Sequence, residues 1–194
     1  MSQVLLPWSD VVSVEPTLEP ITVAEAKRNS DVVDDDRDID FRRWIAAARV
    51  KVETDARMCL VTQTRVRKMD CLPPDRFIVL NGPLASVTSV ENKDTADATQ
   101  TYASSNYTVD TARNAVIKNA TATWPTVGDA PNVLTVTYVC GKAVASVDER
   151  ARHAVYLLVK HWWENPSAYV DSTQFEVPMG YSALVDQLRG GAYP

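Results

Sequence analysis

The hydrophobic period of this 194-residue chain changes twice, and that change limits its architecture more than any single motif. From Cys59 onward, apolar and polar residues alternate in short runs rich in Val, Thr, Ile and Tyr, over 61–69, 76–80, 87–92, 107–110, 115–118 and 133–140. Turn chemistry separates them at Pro73-Pro74, Asn81-Gly82-Pro83, residues 92–98, Gly128-Asp129 and Gly141. On either side the period is helical. Residues 37–57 predict a helix with Trp44, Ile45, Ala48 and Val52 buried and Arg42, Arg43, Arg49, Lys51 and Glu53 largely outside. In residues 146–166, Ala151, Val155, Leu158 and Trp162 recur on one helical face, and Ala154, Leu157 and Val159 widen it into a broad apolar band. Strands set between two long helices predict an α+β fold, a bundle of two long and two short helices with an inserted antiparallel sheet or small sandwich. Such a sheet needs an apolar partner, either the helix pair or another subunit.

Local signals mark the boundaries. Ser146 with Glu149, and Thr22 with Glu25, read as capping boxes, the second opening a short helix to about Arg28. Asn165-Pro166 ends the long C-terminal helix, because a residue before proline is driven out of helical dihedrals. A loop over 166–178 leads to a short helix at 181–189 with Ala183, Leu184 and Leu188 on one side, stopped by Gly190-Gly191. The predicted organisation is an extended arm with one short strand at 1–20, N-terminal helices at 21–58, a β insertion at 59–145, the central helix at 146–165, and a loop, short helix and tail at 166–194.

Hydrophobic residues make up 45% of the chain and no apolar run approaches the roughly 20 residues of a membrane span, so a soluble protein is expected. The N-terminus lacks the basic and apolar regions of a secretion signal, which predicts synthesis and retention in a cytoplasm. Cys59, Cys71 and Cys140 form no CxxC pair and are expected as reduced thiols. The net charge of −5 is distributed as −4 over residues 1–58, +1 over 59–145 and −2 over 146–194. A nucleic-acid clamp needs a basic surplus on one face, and none is visible.

Candidate chemistry is sparse. Asp34, Asp36 and Asp38 have EF-hand spacing, but Ile39 stands where the loop needs glycine and Ile45 where it needs a bidentate glutamate. The six aspartates of residues 31–40 are better placed as negative charge at the start of the next helix. His153 and His161 lie about 12 Å apart along one helix and cannot share a metal. Asp148 and Glu149 point apart and suit an N-terminus. Trp162 and Trp163 divide between core and interface, although Trp124 or Trp163 could instead stack a ligand. No nucleophile elbow, zinc motif or phosphate loop is present, so neither enzyme activity nor a cofactor or metal site is expected.

Three segments in series resemble a known family. Residues 21–27, Ile-Thr-Val-Ala-Glu-Ala-Lys, precede the aspartate cluster, then Trp44-Ile-Ala-Ala-Ala-Arg49 and Leu60-Val-Thr-Gln-Thr64. Residues 80–90, Leu-Asn-Gly-Pro-Leu-Ala-Ser-Val-Thr-Ser-Val, are followed by 106–110 and Trp124-Pro125. The third is Ala154-Val-Tyr-Leu-Leu-Val-Lys-His-Trp-Trp-Glu-Asn165. Together they resemble the head-tail connector, or adaptor, proteins of tailed bacteriophages and gene transfer agents. The departures are Asn29-Ser30, the long N-terminal arm and the long turn at 92–105.

The resemblance implies a non-catalytic virion protein at the neck. It would form a closed ring of about a dozen copies beneath the portal, extend the channel through which DNA passes without sequence-specific contact, and offer a surface to a stopper or tail protein. Another neck component, a stopper or tail terminator, is the alternative, and a ligand-binding or enzymatic domain a more distant one. Ring and bundle contacts are expected from Trp44, Ile45, Val52, Leu158, Trp162 and Trp163. Portal docking is expected from Tyr181, Leu184, Leu188, Arg189 and Tyr193.

Overall fold

Alternation along the central strands builds a five-stranded antiparallel sheet. The strands are β1 (Trp8–Val14), β2 (Gln63–Met69), β4 (Leu84–Lys93), β5 (Thr99–Thr101) and β8 (Leu134–Cys140), in the order β1-β2-β8-β4-β5. A second antiparallel sheet holds β3 (Phe77–Val79), β7 (Ala115–Lys118) and β6 (Tyr107–Asp110) in the order β3-β7-β6. The helices are α1 (Val23–Asn29), α2 (Asp38–Ala56), α3 (Glu149–Glu164) and α4 (Met179–Arg189). This computed structural model describes residues 8–165 and 179–189, and among them the fold is α+β as the periods require. The chain separates into a β unit, Met1–Pro16 with Thr62–Gly141, and a helical unit, Thr17–Val61 with Lys142–Pro194. The expected loop at 166–178 and the tail at 190–194 lie outside the described residues.

In the β unit, strand β8 shows full alternation, with Leu134, Val136, Tyr138 and Cys140 all buried. Strand β2 runs the other way, turning Gln63 and Arg67 inward while Lys68 is exposed. Buried Arg67 and partly buried Arg65 are matched by Asp10 of β1, whose side chain is 4% exposed. Arg65 Nε donates to Asp10 Oδ1 at 2.7 Å, Arg67 Nε to Oδ2 at 2.9 Å, and the Tyr138 hydroxyl to Oδ2 at 2.7 Å. Arg67 also donates to the Val79 carbonyl and lies over the Trp8 ring, 4.5 Å from its centroid. Burial, and then the Asp10 carboxylate, push the Tyr138 phenol far above its ordinary range. This polar knot is what recruits the N-terminal strand to the sheet. Two departures from the sequence reading follow from pairing: β5 forms inside the expected 92–105 turn, where 99–101 fold back on 91–93, and β4 starts at Leu84 with two register shifts along β8.

The helical unit closes around one core. Phe41, Ile45, Ala48 and Val52 of α2, Ala151, Ala154, Val155, Leu158 and Val159 of α3, and Tyr181, Val185 and Leu188 of α4 meet there with Ile21, Ala26, Leu60, Val61 and Val147. Thr22 and Glu25 do form a reciprocal cap, Thr22 N donating to Glu25 Oε2 at 2.7 Å and Glu25 N to Thr22 Oγ1 at 3.2 Å. The Ser146 box does not form. Residues Val144–Ser146 make a single 3-10 turn and Val147 is extended, so α3 begins two residues later, capped by Asp148 on Arg150 N at 2.9 Å. The Arg150 guanidinium, bonded to the same carboxylate, and then that cap lower the Asp148 carboxyl to about 2. On α4 the buried face is Tyr181, Val185 and Leu188, while Ala183, expected beside Leu184 and Leu188, is exposed.

Two further expectations are overturned. Arg49 and Glu53 are buried, at 4% and 7% exposure, because the chain before α1 and after α2 covers them. Arg49 Nε pairs with Glu19 at 2.9 Å and Arg49 Nη1 with Glu53 at 3.2 Å, and Glu53 Oε1 accepts the Leu60 amide at 2.7 Å. Cys59 and Cys140 are disulfide-bonded rather than reduced, and Cys71 is free and exposed.

Removing one partner of a buried charge pair leaves the other charged and desolvated. Glu53→Ala is expected to lower stability by about 3 kcal/mol, read as a shift of the urea midpoint without a change of slope. In the β unit, Asp10→Ala is expected to cost about 3 kcal/mol by the same mechanism, against about 1 kcal/mol for Tyr138→Phe, which deletes one hydrogen bond. Equal effects of the two substitutions in the same unfolding experiment would contradict the Asp10 knot.

Candidate assembly surfaces

The residues expected at ring and bundle contacts are brought together, and most are consumed by the helical unit itself. Ile45, Val52 and Leu158 are 2%, 0% and 1% exposed and belong to its core. Trp44, Trp162 and Trp163 are partly buried against that core. Trp44 and Trp163 form an aromatic cluster with Phe41: the Phe41 centroid lies 5.4 Å from Trp44 and 5.5 Å from Trp163, and the two indoles are 6.1 Å apart. Edge-on and tilted ring pairs of this kind stabilise beyond their buried area, so the cluster locks α2 to α3 while leaving indole edges accessible.

The C-terminal helix is likewise built in. Tyr181 and Leu188 are buried and Leu184 is partly buried against the core. The Tyr181 hydroxyl donates to Asp55 Oδ2 at 2.6 Å, and Lys51 pairs with the same oxygen at 3.0 Å while standing 5.8 Å from the Tyr181 ring centroid. Burial alone would raise the Asp55 carboxyl, but the hydrogen bonds from Tyr181 and Lys51 hold it below the usual carboxylate range. Burial and Asp55 raise the Tyr181 phenol. Arg189 is exposed and donates through Nε to the Asp55 carbonyl. Tyr193 lies outside the described residues.

The aspartate stretch is a structural turn. Asp34 accepts from Asp36 N at 3.0 Å and starts a short 3-10 turn, Asp35–Arg37, that leads into α2. Lys27 of α1 grips Asp35 at 2.6 Å and Asp38 at 2.9 Å, and this pairing raises the lysine and lowers Asp35. No group of three or more His, Cys, Asp or Glu side chains among the described residues could hold a metal ion. An open depression of about 400 Å³ is lined by Glu25, Arg28, Asn29 and Tyr156. Glu25 is already occupied by the Thr22 amide and hydroxyl, which hold its carboxyl low, so it is poorly placed to act as a base there. Trp124, the other proposed stacking residue, packs against Tyr102 at 5.5 Å and donates from its indole to the Asp75 carbonyl at 3.4 Å.

Opposite its buried side, α2 leaves a long face open. Ile39 and Val50 are 61% and 50% exposed, and Arg42, Arg43 and Arg57 are exposed around them. The sequence pattern sets Arg42 and Arg43 on the outer side of the helix; what that reading passed over is that Ile39 and Val50 share this side.

No protein-family model and no curated protein matches the chain. Its fold does match chains of solved gene transfer agent particles. A chain of the virion of a native gene transfer agent particle superposes with a TM-score of 0.74 at 17% identity. Chains of the neck of an empty particle, computed with C6 symmetry, and of the neck of a native particle, computed with C12 symmetry, give 0.73 and 0.69, both at 19% identity. In each case 95% of this chain and 95% of the other are covered, so the likeness in fold spans both units rather than one of them.

Proposed function

We propose that this protein is a structural component of the neck of a tailed phage or gene transfer agent particle, and within the neck the head-tail connector that closes as a ring beneath the portal. The observation that carries this reading is the fold match over 95% of both chains to protein of particle necks computed with C6 and C12 symmetry. The serial motifs at 21–64, 80–125 and 154–165 favour the connector over other neck proteins. The ring then extends the DNA channel and presents a surface to a stopper or tail protein. An acidic chain suits a conduit, because weak repulsion of phosphate lets DNA slide where a basic groove would hold it.

The helical unit supplies the rigid body of each subunit. Portal docking is assigned to what the core leaves available at the C-terminal end: the outer part of α4 with Leu184 and Arg189, and the residues after it, including Tyr193.

A particle reconstruction tests the assignment. The expected result is a closed ring of this chain in direct contact with the portal, of the same symmetry order as the neck. A ring separated from the portal by another protein would make it a stopper or tail terminator. Removing residues 190–194, which leaves the α4 core residues in place, is expected to keep the melting temperature within about 2 °C while abolishing incorporation into DNA-filled heads.

A further inference from the structure

The open face of α2 has the make-up of an interface rather than of a solvated helix. With 3.6 residues per turn, Ile39, Arg43 and Val50 fall within an arc of about 40°, Arg42 and Ala47 lie about 60° and 40° outside it on either side, and Arg57 follows at the left-handed end of the helix. Ile39 and Val50 form an exposed aliphatic spine, and the three arginines beside it meet no carboxylate among the described residues. Arginine around an apolar centre is the composition enriched at protein interfaces. A phosphate backbone would call for more cations and gain nothing from the two aliphatic side chains, so the geometry favours a protein surface that is apolar at its centre and acidic around it.

The same unit carries such a surface. Between α1 and α2, Val33 is 92% exposed and is flanked by Asp31, Asp34, Asp35 and Asp36, all exposed. Its presentation is set by structure on both sides. Asp31 adopts a left-handed conformation, Val32 packs against the core, and Lys27 ties down Asp35 and Asp38. An apolar apex ringed by carboxylates is the complement of an apolar spine ringed by guanidiniums. The turn cannot serve its own helix in this way, because Val50 lies about 16 Å along the axis beyond Ile39, and the turn precedes the first residue of α2.

We propose that the 31–36 turn of one copy docks on the open face of α2 in a second copy, with Val33 seated near Val50 and the aspartates meeting Arg42 and Arg43. The two patches differ, so the contact is head-to-tail, the kind that closes into a ring when the rotation permits. The inference rests on the ring reading above and names the surface that makes the ring.

The test is cysteine cross-linking of the full chain in a Cys71→Ser background, with Val33→Cys and Val50→Cys placed together or singly, on purified protein and on particles that incorporate it. Both positions are exposed, so folding is unaffected by their truncation. The doubly substituted chain is expected to give a ladder of oxidised species up to the closed ring, each single variant to stay monomeric, and a mixture of the two single variants to stop at a dimer. Arg42→Glu with Arg43→Glu is expected to cut the cross-linked fraction at least about tenfold through like-charge contact with the aspartates. A ring in sedimentation without a ladder would overturn this surface and leave the ring reading standing, whereas neither ring nor ladder would overturn both. Dimers of the Val33→Cys chain alone would mean a two-fold contact and overturn the proposal. So would a charge-reversed chain that keeps its ladder but loses affinity for duplex DNA.

Discussion

The helical unit depends on a buried charge. Glu53 sits on the last turns of α2, shielded from water, with one carboxylate oxygen on the Arg49 guanidinium and the other on the Leu60 amide. Desolvating a carboxylate is costly unless its lone pairs are met, and here they are met by one side chain of its own helix and one backbone donor beyond the helix end. The second partner is the informative one. It holds the chain in the turn that follows Arg57, whose left-handed conformation ends α2, and delivers Leu60 and Val61 to the core. Leu60 in turn accepts the Lys142 amide at 3.1 Å, and Val61 bridges to Lys142, so the points where the chain leaves and re-enters the helical unit are joined. An insertion of some eighty residues is tolerated because its two ends are held by that pair of contacts rather than by anything inside it.

Asp10 has an equivalent role in the β unit. A strand at the far N-terminus has little intrinsic reason to join a sheet whose other members lie more than fifty residues away, since loop closure opposes it. Two arginines on β2 and a tyrosine on β8 converge on its carboxylate and provide that reason. In both units a single acid defines where distant segments meet, while apolar packing supplies most of the stabilisation around it.

This division bears on assembly. Most apolar residues of the helical band are spent inside the subunit, and the aromatic cluster of Phe41, Trp44 and Trp163 stiffens the pair α2–α3 rather than presenting a large sticky surface. What the helical unit leaves exposed is a set of modest, charge-flanked patches. Such patches give register and partner choice more than raw affinity.

The amino-acid pattern by itself determined the fold class, the existence of α2 and α3, the Thr22 cap and the positions of six strands, because a period of two or of 3.6 is a local property that any core must respect. Serial motifs pointed to proteins of phage and gene transfer agent necks, and the fold comparison matches chains of gene transfer agent particles without distinguishing the connector from other neck proteins. What tertiary structure alone decided is where charge is allowed inside. Arg49 and Glu53 have the spacing of solvated residues, and only the coverage by Glu19 and Leu60 buries them. Arg65 and Arg67 look like the outer face of a strand until Asp10 arrives from the other end of the chain. Ser146 has the spacing of a cap but loses that position to Asp148, since a 3-10 turn moves the helix start. The residues expected at ring and bundle contacts divide on the same ground: hydrophobicity identifies what must be covered, and whether the cover is the same chain or a second copy depends on which surfaces the fold has already used.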